Sequence, residues 1–256
     1  MQNIAQNIAG FCITDINAKH FGQRVKKSFK YFHPNINFYL CTPETVLDLL
    51  PSFNWPIKDN GQKLNYNQAR IPMILSLKQH YNYDKIIMFD GDTLIVGYLD
   101  EIINDNNHDV YGSLNIKSFH GDEYLNLGVT AFRSNSFLEY FANNLTKNFM
   151  YEKYKNEQLI FNLLCGTLER DKHIFKEHPF NIKIVDKENV YYNERSRQYW
   201  KNITIKNNVL YCNNRIIKVL HWAGGGKDFI NNKLTHPDFS NKVKIFLNKI
   251  TKTKDF

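Results

Sequence analysis

The sequence is poor in the residues that build disulfide scaffolds, fibrous repeats and membrane spans. Its four cysteines, Cys12, Cys41, Cys165 and Cys212, are widely separated and form no Cys-x-x-Cys pair. That spacing argues against a structural zinc site and fits a reducing compartment. Twelve glycines and seven prolines in 256 residues exclude a collagen-like or linker-dominated chain. No run approaches the roughly 20 apolar residues of a bilayer crossing, and the stretch 71–77 is broken by Pro72 and Ser76. The first ten residues, MQNIAQNIAG, have neither the basic region nor the apolar run of a secretory signal. These absences predict a cytoplasmic protein.

What is present is the composition of a folded domain. At 43% hydrophobic, 14% aromatic and 23% charged, the chain has enough apolar mass for a large core and too much for global disorder. The net charge of +8 is unevenly spread. Residues 1–128 hold 11 Lys and Arg against 13 Asp and Glu, whereas residues 129–256 hold 22 against 12. A basic half attracts phosphate, whether on a small nucleotide, a lipid or a nucleic acid. The lysines are scattered and form no nucleic-acid-binding module, so nucleic acid is not an expected partner.

Short apolar runs alternate with amphipathic stretches through the first 115 residues. Strands are predicted over 11–14, 36–40, 85–90, 110–114 and 129–132, and helices over 18–31, ended by His33-Pro34, and 66–80. Ile86 to Phe89 is apolar throughout, as in a strand covered on both faces. Strand–helix alternation of this kind predicts an α/β fold with an open, mostly parallel sheet, whose ligands bind beyond the carboxyl ends of the strands. That rule points to Thr14-Asp15 and to Asp90. Further helices are predicted over 135–149, capped by Asn135 or Ser136, and over 156–164. Residues 186–218 read as polar, aromatic and irregular. No internal repeat, linker or domain boundary appears, so the expectation is one domain over 1–256: a nucleotide-binding part over 10–115, an acceptor-side and closing part over 116–238, and a basic terminal helix over 239–256.

Two segments carry chemistry. Asp90-Gly91-Asp92 closes the buried strand, where a carboxylate is costly without a cation or hydrogen-bond partners. Two carboxylates one residue apart, with a glycine between them, can meet one hard divalent cation, although the same tripeptide is also ordinary turn chemistry. His221-Trp222-Ala223-Gly224-Gly225-Gly226-Lys227 follows the apolar pairs Ile216-Ile217 and Val219-Leu220, which flank Lys218. Successive glycines let backbone amides approach an anion, and the lysine can pair with a phosphate. His221 reads either as a structural histidine before a turn or as an imidazole ligand. Joined, the segments propose one site in which Asp90, Asp92 and His221 bind a cation, and that cation and Lys227 hold a diphosphate. Mixed oxygen and nitrogen ligation favours Mn²⁺, with Mg²⁺ as the alternative.

The order of these motifs resembles the family 8 glycosyltransferases, over roughly residues 10–230. His221, Gly224 and Lys227 match the family's closing motif, and Asp84 to Leu94 is similar to its strand and metal motif. Leu125-Asn126-Leu127-Gly128-Val129 resembles its Phe-Asn-(Ala/Ser)-Gly-Val. Glu157-Gln158 with Asn162 resembles its Asp-Gln…Asn, and residues 65–70 resemble the segment whose terminal Arg or Lys contacts the donor. The resemblance implies a GT-A fold, a Rossmann-like central sheet flanked by helices with a mixed acceptor-side region. It also implies a UDP-sugar donor, Mn²⁺, and retention of anomeric configuration during transfer to a carbohydrate, glycolipid or glycoprotein acceptor. Carried over by position, Asp90, Asp92 and His221 would bind metal. Thr14, Arg70, Gly91, Asn126, Gly224, Gly225 and Lys227 would contact the donor, Thr14 near the uracil. Glu157 and Gln158 would be catalytic, with Gln158 beneath the anomeric carbon. Three positions depart from the pattern: Glu157 replaces Asp, Leu127 replaces a small residue, and Asp228-Phe229 replaces Pro-Trp.

The alternative left open is a non-catalytic or hydrolytic UDP-sugar-binding relative. Tyr191-Tyr192-Asn193 and Tyr199-Trp200 could stack on a sugar or belong to the core. In the segment 239–251, Phe239, Val243, Phe246 and Ile250 share a helical face among lysines. It reads either as a terminal helix packed on its own domain or as a peripheral contact with an anionic membrane. Self-association is left open as well.

Overall fold

The computed structural model describes residues 7–15, 18–114, 124–147, 150, 156–167, 180–186, 190–192, 202–222 and 239–252. In chain order the elements are β1 (Ile8–Ile13), α1 (Lys19–Phe32), β2 (Asn37–Cys41), α2 (Val46–Leu49), α3 (Tyr66–His80), β3 (Lys85–Phe89), β4 (Thr93–Ile95), α4 (Asp100–Ile103), β5 (Val110–Leu114), β6 (Leu125–Phe132), α5 (Asn135–Leu145), α6 (Glu157–Leu164), β7 (Ile182–Ile184), β8 (Val190–Tyr191), β9 (Ile203–Lys206), β10 (Val209–Cys212), β11 (Arg215–Ile217), β12 (Val219–His221) and α7 (Asn241–Thr251).

A six-stranded sheet in the order β2-β1-β3-β6-β5-β7 forms the centre. β1 pairs in parallel with β2 and β3, and β5 with β7, while β6 runs antiparallel to both of its neighbours. The sheet is therefore mostly parallel and covered on both faces, as the apolar runs predict. In β3, Ile87 and Phe89 enter one core with α1 and α7, while Ile86 and Met88 enter the other with α3, α5 and α6. This double burial is why the strand reads as continuously apolar instead of alternating.

The region read as irregular is a second sheet, of four strands in the order β8-β11-β10-β9. Its hairpins turn at Asn207-Asn208 and Asn213-Asn214, all four with positive φ. Asparagine is the non-glycine residue that best tolerates this backbone, and paired left-handed residues match the twist of a two-residue hairpin. Two Asn-Asn steps, each between runs of β-formers, were the available signal. A ribbon of β4 and β12 is the third sheet.

Helix ends correct the expectations in detail. The cap of α5 is Ser134, whose hydroxyl accepts from the Phe137 backbone N–H, and the helix stops at Leu145. The terminal helix α7 begins after the Ser240 cap and packs against α1 and β9. Val243, Leu247 and Ile250 are fully buried and Phe246 nearly so. Burying each such side chain contributes about 1.5–3 kcal/mol. The apolar face that membrane contact would need is thus spent on the protein's own core. Among the described residues, no helix is long and apolar enough to cross a membrane.

Candidate active site at the strand ends

The ends of β1 and β3 and the first turns of α1, α3 and α6 surround a cavity of about 290 Å³. Its walls include Thr14 and Asp15 after β1, Phe21 on α1, Tyr66 and Arg70 on α3, Asp90 to Asp92 after β3, and Glu157 on α6. This is the place that the strand-end rule predicts. The start of α3 is fixed by a reciprocal cap: Asn65 Oδ1 accepts from Gln68 N (3.0 Å) and Gln68 Oε1 accepts from Asn65 N (3.1 Å). That Asn-x-x-Gln cap sets the direction in which Arg70 enters the site.

The acidic turn is held by backbone bonds. Asp90 N donates to Gly128 O (2.9 Å), and Thr93 donates to Asp90 O through both its N–H (3.1 Å) and its hydroxyl (2.7 Å). The chain then enters β4, which pairs with β12 so that Thr93 faces His221. Trp222 N closes the ribbon onto Asp92 O at 2.9 Å. About 130 residues of sequence separation are removed by this register. His221 is 2% exposed, with Nε2 at 3.1 Å from Asp92 Oδ1 and 3.8 Å from Asp90 Oδ2. One ligand atom from each of the three residues lies within 4.8 Å of the others. The separation expected between an acidic pair in mid-chain and an imidazole near the end therefore closes in space.

Gly128 makes this approach feasible. A Cβ there would lie 2.4 Å from His221 Cε1, 2.6 Å from Asn126 Oδ1 and 2.9 Å from Asp90 Oδ2. Motif order names the segment around Gly128 but gives this glycine no role of its own. The usable signal was a glycine interrupting an apolar strand, which often marks a close approach.

Arg70 is 7% exposed and contacts Asp90 Oδ1, with Nη2 3.7 Å from Glu157 Oε1. Burial alone would lower its pKa, but the Asp90 and Glu157 carboxylates offset this and leave it above its ordinary value. Its Nε and the Thr14 hydroxyl are buried without hydrogen-bond partners. Such orphaned polar atoms on a cavity wall suit a polar ligand.

The other predicted donor and catalytic residues divide. Gly91 and Glu157 line the cavity. Asn126 is buried behind it, accepting from Gly128 N (2.7 Å) and donating to Gln158 Oε1 (3.2 Å). Gln158 Oε1 also accepts from Leu127 N at 3.3 Å. A backbone N–H can only donate, so the amide oxygen of Gln158 faces β6, and Glu157 is the α6 carboxylate on the cavity wall. Asn162, fully buried, brackets Leu125 by accepting from its N–H (2.6 Å) and donating to its carbonyl (2.7 Å). Gly224, Gly225, Gly226 and Lys227 lie outside the described residues, as do Asp228-Phe229, Asn193 and Tyr199-Trp200. Tyr192 is fully buried and belongs to the core.

No protein-family model matches the chain, and neither does any curated protein. Solved structures do match, and what they share with this chain is the fold, the GT-A fold seen in glycosyltransferases. A glycosyltransferase involved in glycosylation of the major capsid of PBCV-1 aligns with 88% of this chain and 97% of its own, at 10% identity and TM-score 0.56. The galactosyltransferase LgtC, solved with donor and acceptor sugar analogues, aligns over 95% of both chains at 13% identity and TM-score 0.54. The glycosyltransferase GlyE of Streptococcus pneumoniae TIGR4 aligns over 98% of this chain at 14% identity and TM-score 0.56. This chain spans 61% of the length of GlyE.

Proposed function

We propose that the protein is a retaining, metal-dependent glycosyltransferase that moves a hexose, glucose or galactose, from a UDP-sugar to a carbohydrate, glycolipid or glycoprotein acceptor. The observation that carries this reading is the meeting of Asp90, Asp92 and His221 beside a cavity on a glycosyltransferase fold. Two carboxylate oxygens and an imidazole nitrogen suit Mn²⁺, and Mg²⁺ less well. The space left by the missing Cβ of Gly128 lets two of the three, His221 and Asp90, approach each other. A bound dication supplies positive charge to the departing diphosphate.

The chain's own residues do the rest of the work in this reading. Arg70 offers a buried guanidinium to the donor, and Thr14 an unpaired hydroxyl near the base. Lys227 and the amides of Gly224, Gly225 and Gly226 stabilise charge on the leaving group, more as the glycosidic bond breaks than before. The departing phosphate takes the acceptor's proton, so no strong general base is needed. Glu157 faces the sugar, while Asn126 and Gln158 hold the β6 backbone beneath it.

The test is a panel of UDP-sugars with Mn²⁺, scored for sugar transfer and UDP release. Asp92→Ala is expected to lose turnover by at least about a hundredfold while keeping its circular dichroism spectrum. Wild-type activity of that variant, in chelator-stripped protein resupplied with Mn²⁺, would overturn the metal assignment.

A further inference from the structure

We propose that Arg70 is a built-in counter-ion of the cation centre: it weakens binding of a divalent ion alone and makes ion and nucleotide diphosphate binding depend on each other. This rests on the metal reading given above. The geometry that carries it is the contact of the buried Arg70 guanidinium with Asp90 Oδ1, on the same carboxylate whose Oδ2 stands 3.8 Å from His221.

Asp90 would be shared between Arg70 and an incoming ion. While Arg70 contacts Oδ1, part of the carboxylate's charge is already neutralised, and Oδ2 is the oxygen on the His221 side. Four carboxylates, Asp15, Asp90, Asp92 and Glu157, line the cavity, and Arg70 touches Asp90 and lies 3.7 Å from Glu157. A dication entering among Asp90, Asp92 and His221 therefore arrives one carboxylate away from a fixed positive charge. With Arg70 only 7% exposed, solvent screens that repulsion poorly. A diphosphate reverses the balance, because it brings negative charge to ion and guanidinium together. The unpartnered Nε of Arg70 is a donor ready for such a ligand. Coupling of this kind is reciprocal: whatever UDP adds to ion affinity, the ion adds to UDP affinity.

The experiment is Mn²⁺ titration, followed by the electron paramagnetic resonance signal of the free ion, with and without UDP. Arg70→Met removes the charge and keeps much of the apolar stem. It is expected to bind Mn²⁺ alone about tenfold more tightly than wild type, and to lose about tenfold of the gain that UDP gives. Glu157→Gln removes one acceptor of the guanidinium without touching the three ligands, and is expected to bind Mn²⁺ alone about threefold more weakly. Arg70→Lys keeps the charge and should stay on the wild-type side of both effects. Unchanged or weaker Mn²⁺ binding by folded Arg70→Met overturns the proposal. So does an unchanged UDP gain, and, should that variant not fold, unchanged or tighter binding by Glu157→Gln. Failure of wild type to bind Mn²⁺ even with UDP present, or binding indifferent to Asp92→Ala, refutes the metal reading instead.

Discussion

Gly128→Ala is the sharpest probe of the site's geometry, because its expected sign is opposite to that of an ordinary strand glycine. Within a strand, replacing glycine by alanine usually stabilises by about 0.5–1 kcal/mol, through reduced freedom of the unfolded chain. The backbone of Gly128 is not left-handed, so conformation is no obstacle. Space is the obstacle: the new methyl would lie 2.4 Å from His221 Cε1, where ordinary contacts begin at 3.4 Å, so the imidazole must retreat by about 1 Å. Such overpacking costs about 1–3 kcal/mol, and in a chain of this length each kcal/mol lowers Tm by about 2–4 °C. Metal ligands tolerate only about 0.2 Å of displacement, so Mn²⁺ affinity should fall on the order of 10–100-fold. Thermal denaturation and Mn²⁺ titration read the two effects separately. A variant with raised Tm and unchanged Mn²⁺ affinity would refute the claim that Gly128 is required for the approach of His221 and Asp90.

Two further predictions concern the scaffold. His33 Nε2 accepts from Leu99 N at 3.2 Å, and burial, then the nearby Lys218, pushes its pKa from 6.5 down to about 4. The folded state therefore resists protonation that the unfolded state accepts. The stabilising contribution is complete above pH 6.5 and is lost as pH falls through about 4. That loss is roughly 3 kcal/mol. In urea denaturation at pH 7 and pH 4, His33→Gln, which keeps an acceptor but does not titrate, should lose that much less than wild type. Equal losses would remove His33 from the account. Asn162→Ala strands both backbone groups of Leu125 that its amide now satisfies, and should cost roughly 2–4 kcal/mol by the same method. A change under about 0.5 kcal/mol would mean that water replaces the amide.

The large sheet was legible because burial on both faces leaves a direct mark: continuous apolar runs such as Ile86 to Phe89. The meeting of Asp90, Asp92 and His221 left a mark as well, since Asp90 follows the apolar run of β3, Asp92 lies two residues further on, and His221 closes β12. What the sequence hid were relations between side chains. Asn207-Asn208 and Asn213-Asn214 looked like loop composition until their positive φ values made them hairpin turns. Nothing in residues 65–70 says that Arg70 rests on Asp90, 20 residues away. Motif order names Glu157 and Gln158 together, and nothing in it tells that Gln158 Oε1 accepts from Asn126 Nδ2 and from the backbone N–H of Leu127. The α6 carboxylate that reaches the cavity is Glu157, one residue earlier than Gln158. Adjacent helical residues point about 100° apart, so a motif can be right in register and still leave open which of its members faces the ligand.

Assembly of the candidate metal centre depends on the smallest sheet among the described residues. The acidic turn belongs to β3 and the central sheet, but the imidazole arrives on a ribbon of two short strands. In that ribbon Ile95 pairs with Val219, Leu94 with Leu220 and Thr93 with His221. Side chains alternate along a strand, so a slip of one residue would place Leu220 opposite Thr93 and turn His221 to the other face. What prevents the slip is burial: Leu94, Ile95, Val219 and Leu220 are all fully buried, and they connect to the same core that packs α1 and α7. A slip would move at least one of these large apolar side chains out of its place, at a cost of about 1.5–3 kcal/mol each. The hydrophobic core therefore sets the position of the imidazole. Substitutions at Leu220 or Val219, which do not belong to the ligand set, should then weaken Mn²⁺ binding in proportion to the packing they remove.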